Sequence, residues 1–477
     1  MRSAISFILD GRIVNLDFAR SGGVRPTTTV LNYLRNLPTH KGVKEGCAEG
    51  DCGACTVVLG ELSDSHVHYA AVDSCLVFLP MLHGKQLITV EDLKSADGTL
   101  HHVQNAMVET NGSQCGYCTP GIVMALFALY KNQDNPSRPI IDDALTGNLC
   151  RCTGYKPIVE AAAQACVHKG IDHFTNDEPE IVRLLKSIPT GSITLRTDTQ
   201  TYFRPSSLDE ALTLKRDHPH ALVICGATDV ALRVTKKHEL LKEILDLSGV
   251  DELKTMERSD GSLSIGSGVS LSAVMPAIEK DFPALHEMLS VFGSQQIRNL
   301  ATLGGNLGTA SPIGDTIPVL MAYNASVVLE STGGKREVHM NDFIKGYRQT
   351  DRRPDELITG VTLPKLPAGT AVRSYKVSKR KDLDISTLSG GFRLQLGAHN
   401  NVVESIRLAY GGMADHVKRA RTVEQFLIGK KWERETVETA MPLIEQEFTP
   451  ISDARGGAEF RIVAAKNLLL KFWADTI

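Results

Sequence analysis

The chain has 477 residues, of which 42% are hydrophobic and 22% charged, and its formal net charge is -3. This length predicts several domains, and a balance with no basic excess argues against a nucleic-acid or anionic-membrane partner. The start, "MRSAISFILDGR", lacks the long apolar region of a secretory signal. The longest apolar stretch, residues 121–130, is far shorter than the roughly 20 residues that cross a bilayer. We therefore expect a cytoplasmic protein without a membrane segment.

Residues 1–90 have the pattern of a small mixed sheet with one helix. The stretch "AISFILDGRIVNLDF" contains two strand-like runs joined by Asp10-Gly11, which favours a tight hairpin. Residues 27–37 follow with helical spacing, and "CTVVLGEL" and "QLITVEDL" are typical of strands.

Residues 91–172 carry apolar residues at three- and four-residue spacing, which predicts helices. The predicted helical stretches are "LHHVQNAMVETNG", "PGIVMALFALYKNQ", "IDDALTGNL" and "KPIVEAAAQACVHKG". Together they are long enough to close a four-helix bundle. The next segment, 173–198, mixes charge, Pro and Gly without a sustained period, so we predict a linker there.

Residues 199–365 begin with a pattern of helix, strand, Gly-containing loop and helix. Residues 366–477 alternate strand runs such as "LSGGFRLQL" and then end in helices, which is typical of an α+β lobe. The predicted fold class is therefore a multidomain α+β protein.

A first set of four cysteines consists of Cys47, Cys52, Cys55 and Cys75. Their spacing, CxxxxCxxC with a distant fourth thiol, is that of plant-type [2Fe-2S] ferredoxins. Gly46, Gly50 and Gly53 would let the loop curl and bring backbone amides close to a negatively charged cluster. The alternative is a structural zinc site, but zinc sites more commonly use two close pairs. The three-plus-one arrangement favours iron and sulfur.

A second set of four cysteines consists of Cys115, Cys118, Cys150 and Cys152. Cys115 and Cys118 precede the predicted helix at 120–133, where unpaired amides stabilise a thiolate. Two such pairs could hold a second cluster, although zinc remains a competitor on spacing alone. Clustered thiols in a reducing compartment indicate metal or catalysis rather than disulfides.

Two glycine-rich segments point to a phosphate-bearing ligand. "ALVICGATDVALRV" predicts a strand, a turn and a helix whose N-terminus could face a phosphate, although most such connections bind nothing. "ATLGGNLGTASPIGD", residues 301–315, is a loop rich in amides and hydroxyls that suits a pyrophosphate. A surface loop with turn glycines is the alternative.

Other chemically notable residues have simpler interpretations. Cys166 lies in an Ala-rich helix and Cys225 in an apolar strand, so burial as small hydrophobes is expected for both. His101 and His102 lack a third ligand at useful spacing and are predicted to lie at the surface. The basic run Lys379–Lys381 is expected to be a solvated face; the alternative, attraction of NAD phosphates, is only what the family resemblance described below implies.

The motifs "EGCAEGDCGACTV", "DSCL", "QCGYCTPG" and "NLCRCTGY", in that order, resemble the iron-sulfur half of the molybdenum hydroxylases, the xanthine dehydrogenase and aldehyde oxidase family. Many members have Gly where this chain has Ala48 and Asp51, but every cysteine is present. The resemblance implies two [2Fe-2S] clusters on the eight cysteines. It also implies a β-grasp ferredoxin-like domain over 1–90 and a [2Fe-2S]-binding helical bundle over 91–172.

The later segments resemble the FAD-binding domain and the flavoprotein C-terminal domain of the same family, over 199–365 and 366–477. "DELITGVTLP" and "SKRKDLDIS" extend the resemblance toward the end of the chain. The resemblance implies flavin contacts at Val223, Ile224, Cys225, Gly226, Ala227, Thr228, Asp229, Val230, Phe292, Ala301, Thr302, Gly305, Asn306, Thr309, Ser311, Gly314, Asp315 and Ile358.

The order cluster, cluster, flavin implies an electron conduit with no catalytic residue on this chain. Since the sequence stops at Ile477, the resemblance implies a small subunit with molybdopterin on a large partner subunit, in an (αβ)2 heterotetramer. Electrons from hypoxanthine or xanthine, oxidised to urate, would pass the bundle cluster, the ferredoxin-like cluster and FAD to NAD+. An aldehyde or N-heterocycle dehydrogenase is the alternative within this class, and a zinc-stapled binding protein is the alternative outside it.

Overall fold

The computed structural model describes residues 3–20, 22–167, 169–259, 261–398 and 401–477. Its contacts divide the chain into two compact units. The first unit contains the residues up to Leu214, His220–Val250 and Ser294–Ala301. The second contains Lys215–Pro219, Asp251–Gly293 and Thr302–Ile477. No helix among the described residues has both the length and the apolar character needed to cross a bilayer.

The first unit opens with the predicted mixed sheet and its helix. The elements are β1 (Ala4–Leu9), β2 (Arg12–Asp17), α1 (Val30–Asn36), β3 (Thr56–Ser63), β4 (His66–Asp73) and β5 (Gln86–Ile88). The strand order is β2-β1-β5-β3-β4, with β1 and β5 parallel and the other pairs antiparallel. This arrangement confirms the expected β-grasp topology, and Asp10-Gly11 forms its first hairpin.

One predicted strand is too long at its C-terminal end. "QLITVEDL" forms β5 over its first residues, but Val90–Leu93 is a short 3-10 helix. The Asp92 carboxylate accepts a hydrogen bond from Thr89 N (2.6 Å), and this reciprocal cap ends the strand.

Helices over 91–172 follow as predicted: α2 (His102–Glu109), α3 (Thr119–Asn132), α4 (Arg138–Leu145) and α5 (Lys156–Val167). α3 is buried along 121–130, because it lies between β3 and the other helices. Residue 168 of the last predicted stretch lies outside the described residues.

The predicted linker at 173–198 is wrong for most of its length. Residues 173–187 form α6 (His173–Ser187), which packs on the ferredoxin-like sheet through Phe174, Ile181 and Leu185. The Asp172 carboxylate caps its N-terminus through Thr175 N (2.7 Å). The apolar positions of α6 could not be recognised from their spacing, because Pro179 and the charged residues of its outer face interrupt the pattern.

His101 is buried, so the prediction that both histidines lie at the surface is wrong for this residue and right for the exposed His102. His101 Nδ1 accepts from Val103 N (3.2 Å), which leaves Nε2 to donate to Asp172 (3.1 Å). Burial lowers the pKa of His101 against the opposing effect of Asp172. The folded state therefore favours the neutral form of the His101 imidazole.

Stability should fall on acidification because of this residue. The unfolded state takes up a proton near the ordinary pKa of 6.5, whereas the folded state does so only at lower pH. The free energy of unfolding then drops below that pH by up to about 1.4 kcal/mol per pH unit. We expect His101→Asn, which keeps a capping group, to flatten the dependence of the thermal midpoint between pH 7.5 and 5.5. His102→Asn is the matched control, and an unchanged slope in His101→Asn would contradict the expectation.

The remaining elements run in chain order as follows. Between residues 193 and 364 lie β6 (Ile193–Arg196), β7 (Thr201–Arg204), α7 (Leu208–Asp217), β8 (Leu222–Ile224), α8 (Ala231–Thr235), β9 (Glu243–Asp246), β10 (Met256–Ser259), β11 (Ser262–Gly266), α9 (Leu271–Ile278), α10 (Pro283–Ser290), α11 (Gln295–Arg298), α12 (Leu303–Thr309), α13 (Thr316–Tyr323), β12 (Ser326–Ser331), β13 (Gly334–His339), α14 (Met340–Phe343), β14 (Ile344–Gly346), β15 (Gln349–Thr350) and β16 (Leu357–Pro364). After them come β17 (Ala371–Val377), β18 (Leu388–Leu396), β19 (Val403–Gly411), β20 (Lys418–Arg419), α15 (Arg421–Leu427), α16 (Arg434–Ala440), α17 (Leu443–Glu447) and α18 (Ala458–Ala474).

Each unit has its own sheets. In the first unit β6-β7-β9-β8 form a mixed sheet, and its Ile224 and Ile244 share a core with the β-grasp residues. In the second unit the orders are β10-β11-β16-β12-β13, β14-β15 and β17-β18-β19-β20. The last of these carries the C-terminal helices over a core with Phe392, Tyr410 and Phe472. The α+β fold class is confirmed.

Candidate metal and cofactor sites

The first cysteine set lies on the loop between α1 and β3, with Cys75 directly after β4. Backbone amides of this loop point at the sulfur atoms. Cys47 Sγ accepts from Asp51 N (3.2 Å) and Glu49 N (3.4 Å), and Cys52 Sγ accepts from Cys47 N (3.3 Å). Amide donors of this kind stabilise anionic sulfur.

The curl of the loop depends on left-handed backbone at Ala48 (φ 54°), Gly50 (φ 83°) and Gly53 (φ 66°). A Cβ at Gly46 would lie 2.7 Å from Cys52 Sγ, so that close approach requires glycine. Ala48 adopts the same region despite its side chain, which is unfavourable for a residue with a Cβ. The loop is therefore a cradle for the sulfur atoms.

The thiols of the first set interact with one another. A hydrogen bond with Cys52 lowers the pKa of Cys47 to about 5, and the same bond raises the pKa of Cys52. Cys55 and Cys75, both buried, form a second such pair, in which the pKa of Cys55 is lowered and that of Cys75 raised by their shared hydrogen bond. All ten cysteines, each within the described residues, are free thiols. Four convergent thiols suit a metal centre.

The second set surrounds the start of α3. Cys118 is the residue before the helix, and Cys115 pairs with Cys152 while Cys118 pairs with Cys150. The Tyr117 N–H lowers the pKa of Cys115, and burial raises the pKa of Cys118 to about 12. The structure thus brings the four thiols together as two hydrogen-bonded pairs, and both sets supply the four thiolates that a [2Fe-2S] centre requires.

The two sets are joined directly, which the sequence did not predict. Leu149 N donates to Cys52 O (3.0 Å), and Asn148 Nδ2 donates to Gly53 O (3.1 Å). On the other side the Tyr117 hydroxyl donates to Glu45 O. Asn148 is buried two residues before Cys150. In the sequence this contact is indicated only by an Asn two residues before Cys150. The residue that Asn148 binds, Gly53, is 95 positions away, so the pairing could not be predicted.

Side chains of α11 and of Asn299, the next residue, stabilise this contact between the two cysteine sets, which we call the joint. Gln296 Nε2 donates to Asn148 Oδ1 (2.9 Å) and Ala144 O (3.1 Å). Asn299 Nδ2 donates to Ala71 O in β4 (2.8 Å). The segment that ends at Ala301 is therefore fixed to both cysteine-bearing substructures within the first unit.

Predicted flavin contacts in the first unit are Val223–Val230 and Ala301. The turn after β8 passes through Ala227 (φ 57°), and Ala231 N donates to Ala227 O (2.8 Å) at the start of α8. A Cβ at Gly226 would overlap Leu300 O and lie 3.1 Å from Ala301 N. The structure thus brings Gly226 and Ala301 together. Cys225 in this turn is half-buried rather than buried, whereas Cys166 is buried as expected.

The predicted contacts in the second unit lie mostly on "TLGGNLGTASPIGD". Part of this segment, expected to be a loop, is helix α12, which Thr302 caps through Gly305 N (3.0 Å). After α12 the chain turns at Ala310 (φ 46°). A Cβ at Gly308 would be 3.6 Å from Ile358 Cδ1, which brings Ile358 near this segment. Phe292 lies in the same unit.

The Asp315 carboxylate is already paired. Its Oδ2 accepts from Lys376 Nζ (3.0 Å) and its Oδ1 from Ser386 Oγ (2.6 Å), and Lys376 also donates to Val291 O (2.8 Å). Asp315 is buried, so these partners fix it in place. Sequence reasoning missed Lys376 and Ser386, whose partner lies about 60 to 70 residues earlier.

The basic run is partly neutralised. Arg380 pairs with Asp384 (2.7 Å), and Lys379 Nζ donates to Ala454 O (3.0 Å). These contacts favour a solvated face over a cationic patch for phosphates.

Family models match the chain over three stretches. Residues 89–163 match a [2Fe-2S] binding domain, 196–366 an FAD binding domain in molybdopterin dehydrogenase, and 373–476 the CO dehydrogenase flavoprotein C-terminal domain. The chain is 34% identical to xanthine dehydrogenase of Emericella nidulans, over 99% of this chain and 38% of that protein. It is 33% identical to xanthine dehydrogenase 1 of Arabidopsis thaliana, over 93% and 38%. The chain thus spans about two fifths of the length of these curated relatives.

Solved structures with the same fold match a little over half of the chain. Quinoline 2-oxidoreductase from Pseudomonas putida 86 has 26% identity and a TM-score of 0.54, over 59% of this chain and 98% of that chain. A Cu,Mo-CO dehydrogenase has 23% identity and a TM-score of 0.53, over 57% and 94%. The second likeness concerns the fold alone.

Proposed function

The chain belongs to the molybdenum hydroxylase family, and from this premise we propose that it is the small, electron-transferring subunit of a xanthine dehydrogenase. It would carry electrons from a molybdenum site on a partner subunit through two [2Fe-2S] clusters and FAD to NAD+ during oxidation of hypoxanthine or xanthine to urate. The first and second cysteine sets would hold the clusters, and the flavin contacts named above would hold FAD. Oxidoreductase chemistry is shared by the named relatives.

The observation that carries the proposal is the different exposure of the two joined cysteine sets. Cys115 and Cys152 are exposed, with exposed Tyr117 and Leu149 beside them, whereas Cys55 and Cys75 are buried. The second set therefore reaches the surface of its unit through Cys115 and Cys152, where a partner could deliver electrons. The first set is joined to it by hydrogen bonds such as that from Leu149 N to Cys52 O.

The residues of this chain have holding and positioning roles in the proposal. When bound, iron-sulfur clusters exchange single electrons and FAD exchanges one or two, which links the two kinds of chemistry. Cysteine thiolates and the amides of Glu49 and Asp51 would hold the charge of the first cluster. Gly226 would let the turn after β8 lie against Ala301, and both belong to the proposed flavin site.

The partner is supported by the lengths of the matched proteins. The quinoline 2-oxidoreductase chain is covered over 98% of its length by 59% of this chain, so in that enzyme the matched region is a chain of its own. We propose a molybdopterin-bearing large subunit and an (αβ)2 assembly. Ten free thiols suit a reducing compartment, and we propose a cytoplasmic location.

The second candidate is an N-heterocycle or aldehyde dehydrogenase of the same plan. The likeness of this chain to quinoline 2-oxidoreductase is the observation that brings an N-heterocycle into comparison with xanthine. Substrate contacts would lie on the partner, so the two candidates share the same conduit.

The test is to purify the chain with its native partner and measure iron, acid-labile sulfide and FAD per chain. We expect four iron atoms and one flavin, a brown colour, and NAD+ reduction with xanthine exceeding that with quinoline or benzaldehyde. NAD+ reduction by quinoline alone would favour the second candidate. A colourless protein with stoichiometric zinc would overturn the proposal.

A further inference from the structure

Lys236 reaches from the segment after α8 to the loop of the first cysteine set. Its Nζ donates to Cys47 O (3.0 Å) and lies 3.5 Å from Glu49 Oε2. All three residues belong to the first unit. The lysine is 189 residues from Cys47 in the sequence, so only the fold brings the ammonium group to this loop.

The surroundings make this charge significant. The loop carries acidic side chains at Glu45, Glu49 and Asp51, and its amides already donate to Cys47 Sγ. Arg233, one turn earlier, is directed elsewhere and pairs with Glu239 (2.7 Å). Lys236 is 44% exposed and Glu49 37%, so solvent screens the pair in part, while the ammonium group contacts the backbone oxygen of Cys47, a predicted ligand residue.

We propose that Lys236 is a positioning and tuning residue that raises the reduction potential of the first cluster. The inference rests on the proposed function, because it requires a [2Fe-2S] cluster at this set. One electron added to the cluster makes it more negative by one unit, and a nearby cation stabilises that form. The carboxylate of Glu49 acts in the opposite sense. Lys236 and Glu49 would together set the reduction potential of the first cluster.

A higher reduction potential of the first cluster would change how electrons are distributed between the two clusters. A higher potential on the first cluster draws electrons from the second set, which the partner would reduce. Lys236 follows the turn and helix of the proposed flavin site, Val223–Val230 and α8. The segment that seats the flavin would therefore also regulate its electron donor.

The experiment is a redox titration of the purified complex followed by electron paramagnetic resonance. At a fixed solution potential, we expect Lys236→Gln to lower the reduced-to-oxidised ratio of the first cluster roughly tenfold. The ratio of the second cluster should not change. Glu49→Gln should raise the ratio of the first cluster. Lys237→Gln, which changes the same charge on the neighbouring exposed residue, is the matched control and should change the ratio less than threefold.

The outcomes separate the two proposals. A complex whose unmutated form gives only one [2Fe-2S] signal would refute the proposed function. Two signals with unchanged ratios in Lys236→Gln, or equal changes in both, would overturn the inference. Loss of iron in Lys236→Gln would show that Lys236 only holds the cysteine loop in its folded shape, and this result would also overturn the inference. If Lys236→Gln did not fold, Lys236→Met, which keeps most of the side chain without its charge, would replace it, and an unchanged ratio in that variant would overturn the inference.

Discussion

Gly53→Ala is expected to abolish iron binding at both cysteine sets. Gly53 lies between Cys52 and Cys55 and has left-handed backbone (φ 66°), which costs alanine about 1 kcal/mol. A Cβ there would overlap Gly147 O and lie 2.5 Å from Asn148 Nδ2. Asn148 could then no longer donate to Gly53 O, and the Leu149–Cys52 hydrogen bond would be displaced with it. A total cost of about 3–5 kcal/mol is expected for such a buried joint.

The measurement is iron and acid-labile sulfide per chain, with the thermal midpoint as a check on folding. Gly116→Ala is the matched control, because Gly116 is also left-handed (φ 83°) and lies between Cys115 and Cys118, but nothing lies within 4 Å of its Cβ. We expect the control to keep most of its iron and to lose only about 1 kcal/mol. Full iron content in Gly53→Ala would mean that the joint does not depend on this close approach.

Gly226→Ala is expected to remove the flavin and spare the iron. A Cβ at Gly226 would overlap Leu300 O and lie 2.5 Å from Leu300 C, so the turn after β8 and the end of the α11 segment would be forced apart. Both partners are backbone, which a rotamer change cannot relieve. The proposed flavin contacts Val223–Val230 and Ala301 lie on these two segments. We expect FAD per chain to fall more than tenfold, measured by release of the flavin and its absorbance.

The control for this variant is Gly22→Ala, where nothing lies within 4 Å of the added Cβ. Normal flavin content is expected there. Retained iron and a wild-type circular dichroism spectrum in Gly226→Ala would show that the loss is local. Normal flavin content in Gly226→Ala would argue that the two segments do not form one site.

Local pattern predicted much of the fold. The Asp10-Gly11 turn fixed the first hairpin, and three- and four-residue spacing gave α2 to α5 close to their bounds. The same logic failed at α6, because its apolar stripe is narrow and Pro179 interrupts the pattern. It failed at His101 because burial there depends on Asp172, 71 residues away.

The sequence by itself determined which cysteines are available as ligands in the proposed cluster sites. Short spacing brings Cys47, Cys52 and Cys55 together on one loop, and it does the same within the pairs Cys115–Cys118 and Cys150–Cys152, since residues a few positions apart cannot separate far. Tertiary structure alone decided how the sets are wired together. Gln296 and Asn148, separated by 148 positions, meet only because α11 folds onto the bundle. Lys236 reaches Cys47 for the same reason. Local patterns fix what a segment can bind, whereas hydrogen bonds and charges between distant segments exist only after folding has brought them together.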